Sequence, residues 1–173
     1  MLAPLEQARL GYLHDPPKDG AGLEEQLQRL FELEERLRGA SAISRTCILD
    51  AIVHGCVRFH AHAPSTQAKV FRLIEAGAFV DATCSLQELE MPQWKLRRIV
   101  YDDPQWHCSF SRHSALPMEL DDIAEGSHEV LPLAILSAFL EARRLTVAAN
   151  PFPPRSIPQA RFHGHLVCCD NFA

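Results

Sequence analysis

The sequence predicts an α+β fold, a β-hairpin or small antiparallel sheet packed against helices, with an N-terminal helical pair. Three observations carry this reading. Leu23, Leu27, Leu30, Leu33 and Leu37 recur at spacings of three and four, the single apolar stripe of an amphipathic helix. After Pro92 the period changes to two, with aromatic and β-branched residues in Trp94–Tyr101 and Trp106–Phe110, the pattern of paired strands. From Leu131 to Leu145 an apolar run returns to helical spacing.

The elements follow in order. Residues 1–22 read as an irregular leader, because Pro16, Pro17, Gly20 and Gly22 interrupt any regular structure. Leu23–Arg38 is the clearest helix, supported by Glu25–Arg29, Glu32–Arg36 and Glu34–Arg38 at i,i+4 and stopped by Gly39. A second helix is expected over Ser44–His60, with Ile48, Ala51, Ile52 and Phe59 inward. Pro64 breaks it, and Ser65 is the expected N-cap of the next. The apolar pattern then runs through Val70, Ile74, Phe79 and Leu89, as one helix kinked at Gly77 or two helices meeting there. Asp102-Asp103-Pro104-Gln105 is turn chemistry and predicts a loop of about four residues. If Tyr101 pairs with Trp106, one face carries Ile99, Tyr101, Trp106, Cys108 and Phe110, and the other Arg98, Val100, His107, Ser109 and Ser111. Trp106 and Phe110 are then expected inside, and His107 and Ser109 more exposed. Glu119–Glu125 reads as an acidic turn or short helix ended by Gly126 and Ser127. In the last helix Pro132 falls in the first turn, where its missing N–H costs little, and Arg143 and Arg144 suit the C-terminal dipole.

The domain organisation is therefore a leader over 1–22 and one α+β domain over 23–149. The domain comprises N-terminal helices within 23–62 and a helix–hairpin–helix core over 65–145. A Pro-rich tail occupies 150–173.

Composition narrows the function classes. Seventeen Lys+Arg against 22 Asp+Glu in 173 residues give a net charge of −5, which argues against a general nucleic-acid binder, since such binding draws on phosphate neutralisation. No apolar stretch is long enough to cross a membrane, and the first residues lack the basic segment of a signal peptide. A cytoplasmic location is expected, with the cysteines at 47, 56, 84, 108, 168 and 169 reduced.

Four groups of residues invite chemistry. Cys56 and His60, four apart on a predicted helix, with His163, His165 and Cys168 from the tail, offer a tetrahedral nitrogen and sulfur set that would suit zinc. The chain contains no Cys-x-x-Cys knuckle, so the expectation is no cofactor, with the histidines at the surface and the cysteines as small core residues. Cys47, Asp50 and His54 share a helix face, but positions seven apart stand about 10 Å apart along the axis, too far for a nucleophile and its base. Cys108, facing the core among aromatics, should be an inert thiol. Lys95, Arg97 and Arg98 with Trp94, Tyr101 and Trp106 would form a stacking surface for a single strand. The plainer account is an edge strand guarded by charge. Glycine-rich nucleotide loops and the usual hydrolase motifs do not occur in the sequence.

Trp94 opening a strand, the hairpin continuing into Trp106-His107-Cys108, and the run from Leu131 through Pro132, Leu133, Ala134 and Ile135 to Ala142 resemble the small phage-associated proteins described as having an "ABA sandwich" domain. The resemblance covers about fifty residues and rests on packing motifs. It implies a helix–sheet–helix layering and a bacterial or phage origin, and it implies no catalytic residue.

The resulting expectation is a non-enzymatic protein that acts through protein–protein contact as a homodimer, with neither membrane nor nucleic acid as partner. Two surfaces motivate the dimer: the leucine stripe of the first helix and the unpaired edges of the hairpin. The alternative is a metal-binding accessory protein using the histidine and cysteine cluster.

Overall fold

The computed structural model describes residues 22–117 and 120–149. Among them the order is α1 (Leu23–Arg38), α2 (Arg45–Gly55), α3 (Arg58–Ala61), α4 (Pro64–Glu75), α5 (Phe79–Glu90), β1 (Lys95–Asp102), β2 (Gln105–Ser111), β3 (Ile123–His128) and α6 (Leu131–Ala149). The α+β class is that of the sequence reading. The expected leader, apart from Gly22, and the Pro-rich tail lie outside the described residues.

α1 has the bounds its leucines predict and is capped by Gly39. Glu24 and Glu25 in its first turn and Arg36 and Arg38 in its last oppose the helix dipole. Arg29 pairs with Glu25, and Arg38 with Glu34 and Glu35. Arg36 reaches Asp50 of α2 at 3.1 Å instead of Glu32, tying two helices together. Leu30, Leu33 and Leu37 are buried against α6 and α2, so most of the stripe is covered within one chain. That removes one of the two grounds for a dimer. Leu23 and Leu27 are half-buried.

Two boundaries differ from the sequence reading, and at Gly77 one of its two alternatives holds. The second helix does not reach His60; it ends at Gly55 and a separate turn, α3, begins at Arg58. The N–H groups of Val57 and Phe59 donate to the Glu90 carboxylate, which replaces the helical acceptors they would otherwise need. α4 starts on Pro64, one residue before the expected cap at Ser65, because proline fits the first helical turn. The long apolar segment is two helices: Gly77 has φ of +72°, a left-handed conformation that glycine accepts freely.

The sheet is antiparallel in the order β1-β2-β3. Tyr101 pairs with Trp106 and Ile99 with Cys108, the pairing and face assignment expected from the sequence. The ladder extends to Asp102–Gln105, so the hairpin loop is only Asp103–Pro104, joined by a cis peptide, shorter than the four residues expected. A bulge lies between Leu96 and Arg98. The expected acidic turn is instead strand β3, in which Ser109 pairs with Glu125 and Cys108 with Gly126. Ser109, expected towards solvent, is buried, and Trp106 is only half-buried; Trp94 is the tryptophan in the core.

α6 is the centre of the molecule. Leu133, Ile135, Leu136, Phe139 and Leu140 are buried, and the helix packs on β3, β2, α1, α5 and α2. It lies so close to β3 that a Cβ on Gly126 would come within 2.3 Å of the Ala138 nitrogen and 2.6 Å of the Ala134 oxygen. α6 therefore packs directly on the sheet and on the helices α1, α5 and α2.

Candidate functional site

The candidate metal ligands Cys56 and His60 are divided by the break between α2 and α3. Cys56 lies in that break, 5% exposed, with its Sγ 3.5 Å from the Ala51 carbonyl. Burial pushes its thiol pKa well up, the Glu90 carboxylate adds to this, and Arg143 opposes it. His60 is exposed, with Nε2 3.2 Å from the Ile52 carbonyl. The two are no longer neighbours on one helical face. His62 Nε2 lies 3.1 Å from the Leu89 carbonyl and His54 Nδ1 lies 3.0 Å from that of Asp50. Each of these rings contacts a backbone carbonyl. Among the described residues no three His, Cys, Asp or Glu side chains converge as metal ligands. His163, His165 and Cys168 lie outside the described residues.

Close to Cys56 is a buried ion pair. Glu90 is fully buried. Its Oε1 accepts from Val57 N at 3.1 Å and lies 3.2 Å from Arg143 Nη1, and its Oε2 accepts from Phe59 N at 2.8 Å. Arg143 Nε donates to the Gly55 carbonyl at 2.7 Å. One carboxylate and one guanidinium thus satisfy the broken end of α2 and dock α5, α3 and α6 around it. Arg143 is not a solvated dipole partner; Arg144 is the exposed arginine and pairs with Glu141.

Cys47 and His54 also have local partners. Cys47 Sγ is 3.2 Å from Ser44 Oγ, and Asp50 is engaged by Arg36. The basic-aromatic surface is incomplete for the same kind of reason. Trp94 is 1% exposed and donates from Nε1 to Thr146 at 3.0 Å, while Arg97 binds Asp121 at 2.8 Å. Asp121 has a fully buried side chain. Desolvation alone would raise its pKa, but hydrogen bonds from Ser111 and the His113 backbone N–H, together with Arg97, hold it below the usual carboxylate range.

What stays open is β1. Among the described residues it pairs only with β2, and Leu96, Ile99 and Tyr101 are 43%, 37% and 51% exposed. By register they share a face with Phe110, Cys108 and Trp106, extending the apolar face of the sheet beyond the cover of α6. A cavity of about 570 Å³ is lined by Arg98, Tyr101, His107, Ser109 and Glu125 of the sheet, with Glu34 and Arg38 of α1 and Ser137 of α6.

No family model, curated protein or solved structure matches the chain.

The edge and its two faces are partly readable from sequence, because Lys95, Arg97 and Arg98 beside aromatics already mark an edge strand. The Glu90–Arg143 pair is not. Its only local signal is a carboxylate at a helix end before Met91-Pro92, which is common on surfaces. The cavity is hidden because Glu125 and Ser127 join it only once β3 is a strand.

Proposed function

We propose that this is a small bacterial or phage-derived protein without catalytic activity that works through protein–protein contact as a homodimer, with β1 as its contact element. The observation that carries this reading is the open edge of β1 with Leu96, Ile99 and Tyr101 exposed along one face. A strand presenting unpaired backbone groups is a template for another strand, and a large exposed apolar patch marks a contact surface. A symmetric two-fold contact is the commonest assembly of soluble chains. The four cysteines of the described residues are free, which suits the reducing cytoplasm. Nucleic acid is not the proposed partner, since Trp94 is inside and Arg97 is engaged. Light scattering at micromolar concentration tests the reading: a mass near twice 19.4 kDa supports it, and the monomer mass across the range overturns it.

A further inference from the structure

We infer that two copies join through β1 in one antiparallel register, with Ile99 on the two-fold axis, so that two three-stranded sheets become one of six strands. This rests on the homodimer reading and adds its geometry.

The side-chain pattern of β1 is self-complementary because of its bulge. From the pairing with β2, Lys95, Arg98, Val100 and Asp102 share one face, and Leu96, Ile99 and Tyr101 the other. Were Arg97 an ordinary ladder residue, Lys95 and Asp102 would stand seven positions apart and point to opposite faces, since strand faces alternate with period two. With it, an antiparallel copy centred on Ile99 places Arg98 opposite Val100 of the second copy. If Arg97 stands out of the new ladder as it does from the ladder with β2, Leu96 falls opposite Tyr101 and Lys95 opposite Asp102. Every pair then lies on a single face. The three exposed apolar side chains meet those of the second copy in one continuous row, and opposite charges close each end, the kind of cross-strand pairs that stabilise sheets. A copy centred on Arg98 would set that cation against itself. A copy centred on Val100 would pair Arg98 with Asp102 but leave Leu96 opposite Asp103. An axis between Arg98 and Ile99 would pair residues from opposite faces, which the pleat forbids.

The experiment uses the full chain. Ile99→Cys, Arg98→Cys and Val100→Cys are oxidised mildly and compared with the wild type, whose six native cysteines set the background. A covalent dimer above that background is expected for Ile99→Cys alone, because only a residue on the axis meets its own copy. In parallel, Lys95→Asp should weaken the dimer roughly tenfold by facing two carboxylates across each end, and adding Asp102→Lys should restore it. Circular dichroism verifies that each variant is folded. A dimeric mass with cross-linking of the Val100→Cys or Arg98→Cys variant, or no charge-swap rescue, overturns the register and leaves the homodimer standing. A monomeric mass overturns both. If β1 amides are then protected from hydrogen exchange, the edge is covered by another segment of the same chain.

Discussion

Replacing Glu90 by alanine tests the arrangement on which the helical layer depends. The substitution removes both carboxylate oxygens from a fully buried position, leaving the Val57 and Phe59 N–H groups without acceptors and Arg143 without its counter-charge. Removing one partner of a buried ion pair costs about 3–5 kcal/mol, and an orphaned buried donor about 1–3 kcal/mol. These overlap, because the same carboxylate satisfies all three groups, so about 3–5 kcal/mol is the expected loss. Against a total stability of about 5–15 kcal/mol that is a large share. It should lower the melting temperature by roughly 10–20 °C. Glu90→Gln keeps one oxygen acceptor and the side-chain shape, and should cost about 1–3 kcal/mol. Glu88→Ala, two residues away and exposed, is the control and should stay within about 0.5 kcal/mol. Urea unfolding followed by circular dichroism gives all three numbers. If Glu90→Ala costs under about 1 kcal/mol, or no more than Glu88→Ala, the carboxylate is not what holds the α2–α3 break.

Three further outcomes are expected. Trp94→Ala should destabilise by about 3–5 kcal/mol and Trp106→Ala by about 1–2 kcal/mol, read as urea midpoints, since Trp94 is in the core and Trp106 is half-buried; the reverse order would refute the burial assignment. Asp121 titrates below its unfolded value, so its stabilisation is present above about pH 4 and is lost as pH falls through its lower folded pKa. Acid unfolding of Asp121→Asn should accordingly show a shallower pH dependence than the wild type, and an identical profile would refute the linkage. Burial pushes the Cys108 thiol up to about 12 and Cys56 well above its ordinary value, so in native protein at mildly alkaline pH a thiol reagent should modify Cys47 before these two, which should react only after unfolding; rapid native labelling of Cys56 or Cys108, mapped by mass spectrometry, would refute it.

Legibility in the sequence follows the range of the interactions. α1 can be bounded from its own residues, because its stripe and its stop at Gly39 are local. The same holds for the Tyr101–Trp106 pairing, set by two aromatic-rich runs around a short turn. The end of α2 cannot, because the groups that hold Val57 and Phe59 away from helix come from Glu90, more than thirty residues along the chain. β3 escapes a sequence reading because Ile-Ala-Glu-Gly-Ser-His carries little strand propensity of its own. Pairing with β2 and the closeness of α6 at Gly126 make it a strand. That Cys56 and His60 do not share one helix is equally hidden, because the break after Gly55 depends on the same distant carboxylate. The open edge of β1 is legible because charge beside aromatics announces an edge wherever the rest of the sheet lies.

The central place of α6 has a consequence during synthesis. The helix that covers Leu30, Leu33 and Leu37 is the last described element, beginning at Leu131 where α1 ends at Arg38. At about 5–20 residues per second, α1 waits roughly 5–20 s on the ribosome for its cover, while its leucines and the underside of the sheet stay wet. The contacts that this helix makes with α1, α5 and the sheet therefore form only in a late step. A message truncated before Leu131 would yield a polypeptide whose core lacks its central helix, a substrate for chaperones and proteases rather than a smaller version of the protein.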